Sequence, residues 1–485
     1  MYFTHKSIIV GVKKMKKSRS KWLKAVSLIT AGVLMAGVCT SCGKGKDKDA
    51  DGNTVITVGG WPSKDGKEKD NIEAKKARFE EANPDVKITP DNWKFDLKSF
   101  YAKAAGGQLP IVYDTNFTEV PQIIAAGYSA DITDALKKHG IYDKMNKDVL
   151  ETVSKDGKVY AYPYAAYALG LAYNVDLFEK AGLMEADGTP KQPKDWNEVV
   201  EFAQKIKKAT GKAGFVFPTA NNNGGWIFTC LAWSFGADFM KKGDDGKWKA
   251  CFDSIEAAEA LQWIKDLKWK YDVLPANTLI DHTELFKLYG TGEAGMLISA
   301  GDLHWKVSQY AMNPESIGMM AMPTGPKKHV TLMGGMIYSV SNKATKDQID
   351  AALRWIETAY SPEATDEFKE NKEKNIDLAI EKNQIVTIKS MSPWSSDSDA
   401  VKFENNLRDE KANANPNHVK LYNDFMADMG DCELRPEEPV CAQELYGVLD
   451  SCIQEVLTNK DADPAELLKK ANADFQSNYL DNLDY

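Results

Sequence analysis

The sequence predicts an open α/β sheet protein whose last third is nearly all helical. Strand-like apolar runs alternate with helical patterns from residue 55 to about residue 338. From Thr345 onward the patterns are amphipathic helices. The length, 485 residues with 43% hydrophobic and 27% charged side chains, suffices for two lobes with full cores and no further stretch of membrane-spanning character. No internal repeat and no Pro-rich linker divides the chain into sequential beads.

The first apolar stretch is not expected to belong to the fold. Lys13, Lys14, Lys16, Lys17, Arg19, Lys21 and Lys24 form a basic patch ahead of a charge-free apolar run over residues 25–38, the order of a secretory signal. That run has 14 residues, whereas a membrane-spanning helix needs about 20. A cleaved signal over residues 1–41 is therefore expected, with Met15 a candidate start. The stretch VCTSCGKGKDKDADGN that follows resembles a bacterial lipobox, in which a cysteine after small residues is lipidated and becomes the new N-terminus. Cys42, behind Thr40 and Ser41 and ahead of Gly43, fits that role better than Cys39, which follows the bulky Val38, although Cys39 stands where lipoboxes usually carry Leu. Asp47, Asp49, Asp51 and Gly52 imitate a calcium loop, but its twelfth position is Val58 rather than Glu. Residues 42–52 thus read as a solvated tether.

The folded elements then run in order. Residues 55–59 (VITVG) read as a buried strand, residues 70–83 as a helix ended by Pro84, and residues 86–88 as a second strand. A helix over 97–105 precedes the strand signal of 111–113. In the C-terminal region, helices are expected over 348–360, 443–457 and 464–479, with a further one starting at Ser361-Pro362-Glu363.

Composition narrows the functions. The first 41 residues hold eight of the 61 basic side chains and no acid, so the remainder carries 53 bases against 70 acids, a net charge of −17. Such a surface is repelled by nucleic acid and argues against polyanionic substrates, so a neutral or cationic ligand is expected. Besides Cys39 and Cys42, five cysteines stand at Cys230, Cys251, Cys432, Cys441 and Cys452, an odd number, so at least one is unpaired within the chain. Closure of a small loop by Cys432 and Cys441, or a Cys230–Cys251 pair, stays open. His5, His139, His282, His304, His329 and His418 are scattered without a pair at helical ligand spacing, so no metal or other cofactor is expected. No H-E-x-x-H, G-x-S-x-G or Walker loop occurs. Residues 290–295 match G-x-G-x-x-G, but a helix precedes and a strand follows, the reverse of a dinucleotide site. The chain therefore reads as a non-enzyme.

What stands out are aromatic residues beside small, hydroxyl and amide residues at expected strand ends: GGWPSKDG (59–66), YDTNF (113–117), AYPYAAYALGLAYN (161–174), TANNNGGWIF (219–228), SAGDLHW (299–305), LMGGMIY (332–338) and SPWSS (392–396). Ligands of open α/β sheets sit beyond the carboxyl ends of the strands. Flat rings next to Asn, Asp and Ser suit a solute with apolar C–H faces and many hydroxyls, a sugar. Trp196, Trp263, Trp269 and Trp355, all on helical patterns, are expected to pack, whereas Trp61 and Trp226, flanked by glycines in expected loops, are expected to face ligand.

Taken together, these segments resemble the extracellular solute-binding proteins of ABC importers, in particular the maltose-binding-like carbohydrate group, over nearly the whole exported chain. The match is most specific in AYPYAAYALGLAYNVDLF (161–178), similar to that family's crossover into its second lobe, and is supported by GEAGMLISAGDLHW (292–305), LPIVYDTNF, NPDVKI and PKDWNEVVEFAQKI. The resemblance implies a two-lobed, periplasmic-binding-protein-like fold with hinge-crossing strands: 53–164 with 317–360 as one lobe, 165–316 with 361–485 as the other. It implies a monomer that traps a sugar or oligosaccharide between the lobes and delivers it to the membrane permease subunits of an importer, held by its N-terminal lipid on the outer face of the cell membrane. The family's contact positions fall on Trp61, Lys64, Thr115, Asn116, Tyr167, Asn223, Trp226, Asp302, Trp305 and Gly335, and Trp394 is a further candidate. Tyr167 replaces an acidic residue of the maltose binders and Asp302 replaces a Trp, so maltose itself does not follow. Two alternatives stay open: a receptor for a cationic or other non-sugar solute, whose aromatics would hold a quaternary ammonium, and an exported glycoside hydrolase with two carboxylates across the cleft.

Overall fold

An eight-stranded sheet organises the chain. The computed structural model describes residues 47–483 apart from Asp302; the expected signal, Cys39 and Cys42 lie outside them. The strands are β1 (Thr54–Val58), β2 (Val86–Pro90), β3 (Val112–Asn116), β4 (Ala161–Asn174), β5 (Met296–Ala300), β6 (Ile317–Met320), β7 (Val330–Val340) and β8 (Glu433–Arg435). Their path is β6-β4-β7-β3-β1-β2, with β5 also on β4 and β8 on β7. β1 pairs in parallel with β2 and β3, and β7 runs antiparallel to β3 and β4.

The longer helices are α1 (Lys67–Ala82), α2 (Leu97–Ala105), α3 (Trp196–Thr210), α4 (Asn223–Phe235), α5 (Ile255–Trp269), α6 (His282–Gly290), α7 (Lys346–Glu357), α8 (Asp366–Glu381), α9 (Asp399–Glu410), α10 (Ala442–Thr458) and α11 (Pro464–Asn478). The G-x-G-x-x-G stretch is indeed the turn from α6 into β5. Expected element positions agree with these within a few residues, with one exception. The helix expected at Ser361 starts at Asp366. Ser361 Oγ accepts the Glu363 N–H in a local turn, and it is Thr365 Oγ1 that caps the helix by accepting from the Phe368 N–H. A capping box of Thr345 and Gln348 starts α7 in the same way.

β4 joins two cores. Its first part, residues 161–168, pairs with β7, and its second, residues 169–173, pairs with β5. The first core gathers Ile56, Val58, Ile88, Val112, Tyr162, Ile337, Leu353 and Trp355. The second packs Leu169, Leu171 and Tyr173 of β4 against α3, α4, α5, α10 and α11, and a third, on the other face, packs Ala172 against Leu297, Met319 and Tyr422. Residues 168–174 are all buried, as expected of a strand covered on both faces. β6 pairs with residues 171–174 of β4.

Pro163 stands inside β4, where it has no N–H to give the ladder. The pairing with β7 shifts there, Ile337 facing Pro163 and Met336 facing Ala165, which leaves Tyr164 as the extra residue of a bulge. The bulge lets Tyr164 lie against Tyr338 (4.7 Å) and Tyr360 (4.5 Å).

Of the expected tether, residues 47–52 form a turn that leads into β1: Asp49 accepts N–H groups of Asp51 and Asn53, and Lys48 donates to Asp347 at 2.8 Å. All five cysteines from Cys230 to Cys452 are free, so neither of the pairings left open by the sequence is formed. Among the described residues no helix is long and apolar enough to cross a membrane.

Candidate solute-binding cleft

A cleft of about 1340 Å³ opens where the two cores meet. Its floor is residues 164–167 of β4 and the end of β5 with Gly301; its walls are α1 on one side and α6, α8, α9 and the 390–394 segment on the others. A typical small-molecule pocket has about 300–1,000 Å³, so this cleft has room for a solute larger than one sugar-sized ring. Tyr164, Tyr167, Trp226, Phe286, Trp305 and Tyr360 supply aromatic surface, and Asn71, Ser299, Ser361, Asn371, Asn375 and Asn405 supply hydroxyls and amides.

Of the sequence-derived site residues, the cleft brings together Tyr167, Trp226, Trp305 and Trp394. Trp305 is 48% exposed. The ring of Tyr167 lies over Gly334, its partner across the sheet, where a Cβ would meet the ring. Trp226 is half-buried and meets the His282 ring edge-on at 5.7 Å. It lies in the first turn of α4, not in a loop, because Asp450 of α10 accepts the N–H groups of Asn222 and Gly225 and fixes that helix start. Trp394 is buried against Tyr162 and touches both the cleft and a neighbouring cavity of about 1040 Å³.

The remaining candidates lie elsewhere. Trp61 is a core residue, contrary to expectation: it is 4% exposed, stacks on Trp355 at 6.2 Å and donates its indole N–H to Glu73. Thr115 is buried in β3. Gly335 is buried where a Cβ would collide with the Ala165 carbonyl and meet the Phe117 ring, so its small size serves packing. Lys64 and Asn116 are exposed but do not line the cleft, and Asn223 spends its side-chain oxygen on the His282 N–H. Asp302 lies outside the described residues. Trp196, Trp263 and Trp355 are buried as expected, whereas Trp269 is 37% exposed while donating to the Val456 carbonyl.

Sequence reasoning missed the acidic seam beside the cleft. Glu437 accepts the Tyr446 hydroxyl at 2.7 Å; burial raises its pKa, and the donors Tyr446, Thr118 and Trp226 work against that rise. Glu119 is 7% exposed, and burial, reinforced by Glu437 and Glu444, pushes it up to about 7. No local pattern marks either residue, since each acquires its neighbours from distant segments. The cleft itself is basic, which the sequence-wide charge concealed: Lys67, Lys75, Arg78, Lys306, Lys372, Lys374 and Arg408 line it against Glu357, Glu367 and Glu404. Among the described residues no cluster of His, Cys, Asp and Glu is placed to hold a metal ion.

A family model described as bacterial extracellular solute-binding protein matches residues 65–366. The chain belongs to that family. Among its relatives, this solute-binding protein is 25% identical over 330 residues to the sn-glycerol-3-phosphate-binding periplasmic protein UgpB of Salmonella typhimurium, covering 65% of this chain and 72% of the relative. Two solved structures share its fold. A cyclic alpha-maltosyl-1,6-maltose binding protein from Arthrobacter globiformis matches with a TM-score of 0.61 at 23% identity, over 88% of this chain and 99% of that one. UgpB from Mycobacterium tuberculosis, in complex with glycerophosphocholine, matches with a TM-score of 0.62 at 16% identity, over 88% and 98%. The fold of the solute-binding protein is thus the mixed α/β, two-lobed one expected from its sequence.

Proposed function

We propose that this protein is the substrate-capturing component of an ABC importer and takes a polyhydroxylated solute, a sugar or oligosaccharide or a derivative of one, between its lobes. The observation that carries this reading is the cleft itself: aromatic rings, among them the exposed Trp305, and uncharged hydroxyl and amide groups line it around residues 164–167 of β4 and the end of β5, where two cores meet. Ring faces stack on C–H surfaces and the polar groups fix hydroxyl orientation. No bond is made or broken. A solute that touches both walls stabilises the closed arrangement, and a permease that recognises this arrangement receives it. On this reading the lobes divide at β4 and β7, the protein works as a monomer, and an acyl chain on Cys42 holds it at the outer face of the cell membrane.

The test is thermal unfolding against a panel of oligosaccharides and polyols, because a solute that binds only the folded form raises the melting temperature with the logarithm of its concentration. At least one member should raise it by several degrees, and Trp305→Ala should remove most of that shift. If no polyhydroxylated compound shifts the transition while choline-like cations do, the reading fails. Mass spectrometry of the native N-terminus decides the anchor: a Cys42 that carries no acyl group rules it out.

A further inference from the structure

The charge of the cleft opposes that of the chain, which is −9 overall, and the way its ions are paired gives that opposition a direction. Each lining carboxylate already has a partner. Glu357 holds His139 at 2.7 Å, Glu367 holds Arg78 at 3.6 Å, and Glu404 holds Lys372 at 2.5 Å and Arg408 at 2.9 Å. An incoming cation therefore meets no spare anion on these walls. Lys67 and Lys75 differ: they line the cleft from α1 two turns apart, and among the described residues neither has a carboxylate within ion-pair distance.

Lys75 is held by a ring instead. Its ammonium stands 4.1 Å from the centroid of Trp355, which is itself fixed by stacking on Trp61 and by the edge of Phe79 at 5.3 Å. A ring face is a weaker partner than a carboxylate and leaves the positive charge largely uncompensated, on a wall that a bound solute must touch. Such an ammonium gains from any anionic group that reaches it, because a charge-assisted hydrogen bond is about twice as strong as a neutral one.

We propose that Lys75, with Lys67 two turns away on the same wall, is a specificity-determining subsite for an anionic substituent, a carboxylate or a phosphate, on the solute. The proposal rests on the reading of the cleft as a solute site and narrows it: of the polyhydroxylated solutes, the acidic ones bind. Burial holds the Lys75 amine down to about 8, against the pull of Glu367 on α8 and together with the push of Arg78 on α1. An anion favours the charged form, so binding takes up protons near pH 8, and affinity for an acidic solute falls as the pH rises through 8.

Calorimetric titration with matched pairs tests this. Glucuronate- and galacturonate-containing oligosaccharides are set against their neutral counterparts, and glycerol 3-phosphate against glycerol; the pair that responds tells carboxylate from phosphate. The acidic member should bind at least tenfold more tightly than its neutral partner. Lys75→Met should remove about tenfold of that preference, and Lys75→Arg, which keeps the charge, should retain most of it; the unliganded melting temperature shows that each variant folds. Equal binding of acidic and neutral members, or an equal loss of both in Lys75→Met, overturns the subsite and leaves the receptor reading standing. Failure of every pair to bind overturns both.

Discussion

Trp61 and Trp305 come from segments that look alike, an indole near a glycine just beyond a strand, yet their surroundings are opposite. Trp61 is walled in by Trp355 and Glu73, and Trp305 stands half in solvent at the cleft. The difference is made by what lies above each strand end. β1 ends under α7, which delivers Trp355, whereas β5 ends at the floor of the cleft. A ring at a strand end is therefore a ligand candidate only where no distant helix has filled the space.

That comparison breaks most easily by truncation. Trp61→Ala should cost about 3–5 kcal/mol in urea unfolding, the usual range for emptying a core of a large aromatic, and Trp305→Ala should stay within about 0.5 kcal/mol while losing solute affinity. The reverse pattern would return Trp61 to the site. The acids offer the same contrast between packed and open. Glu119, raised to about 7, is stabilising while protonated: its contribution is complete below the unfolded value of 4.5 and disappears as the pH rises through 7. Glu119→Gln should therefore be more stable than the parent at pH 8, by up to about 3 kcal/mol at 1.36 kcal/mol per pKa unit, and no more stable at pH 4; chemical denaturation at the two pH values measures it. Gly335→Ala, which drives a methyl into the Ala165 carbonyl, should cost about 1–3 kcal/mol by overpacking, without preference among solutes. The smallest effect belongs to the exposed Lys48–Asp347 pair, where Asp347→Asn should change stability by less than about 0.5 kcal/mol.

Much of the fold was legible because its signals are local. The strand of VITVG, the helix over 97–105 and the three C-terminal amphipathic helices stand within a few residues of their expected places. Of the sequence-derived candidates, Tyr167 of the crossover strand, Trp226, Trp305 and Trp394 line the cleft, whereas the polar and charged side chains that α1, α8 and α9 add to it were not legible. NNNGGW reads as a loop because nothing near it announces Asp450, whose carboxylate takes up the backbone N–H groups and makes Trp226 helical. Nothing local marks the α1 lysines, since Trp355, which holds Lys75, comes from a helix far along the chain. Net charge concealed the basic lining for a related reason: it sums a whole surface, of which the cleft is one part.

The unbroken run of β4 through both cores has a thermal consequence. Residues 161–168 and 169–174 are one strand, so neither core can melt without stripping ladder hydrogen bonds from the strand that carries the other. Heat denaturation should then appear as one calorimetric peak whose van't Hoff and measured enthalpies agree. A molecule wired in this way has no half-melted form in which one side could keep its grip on a solute while the other lets go.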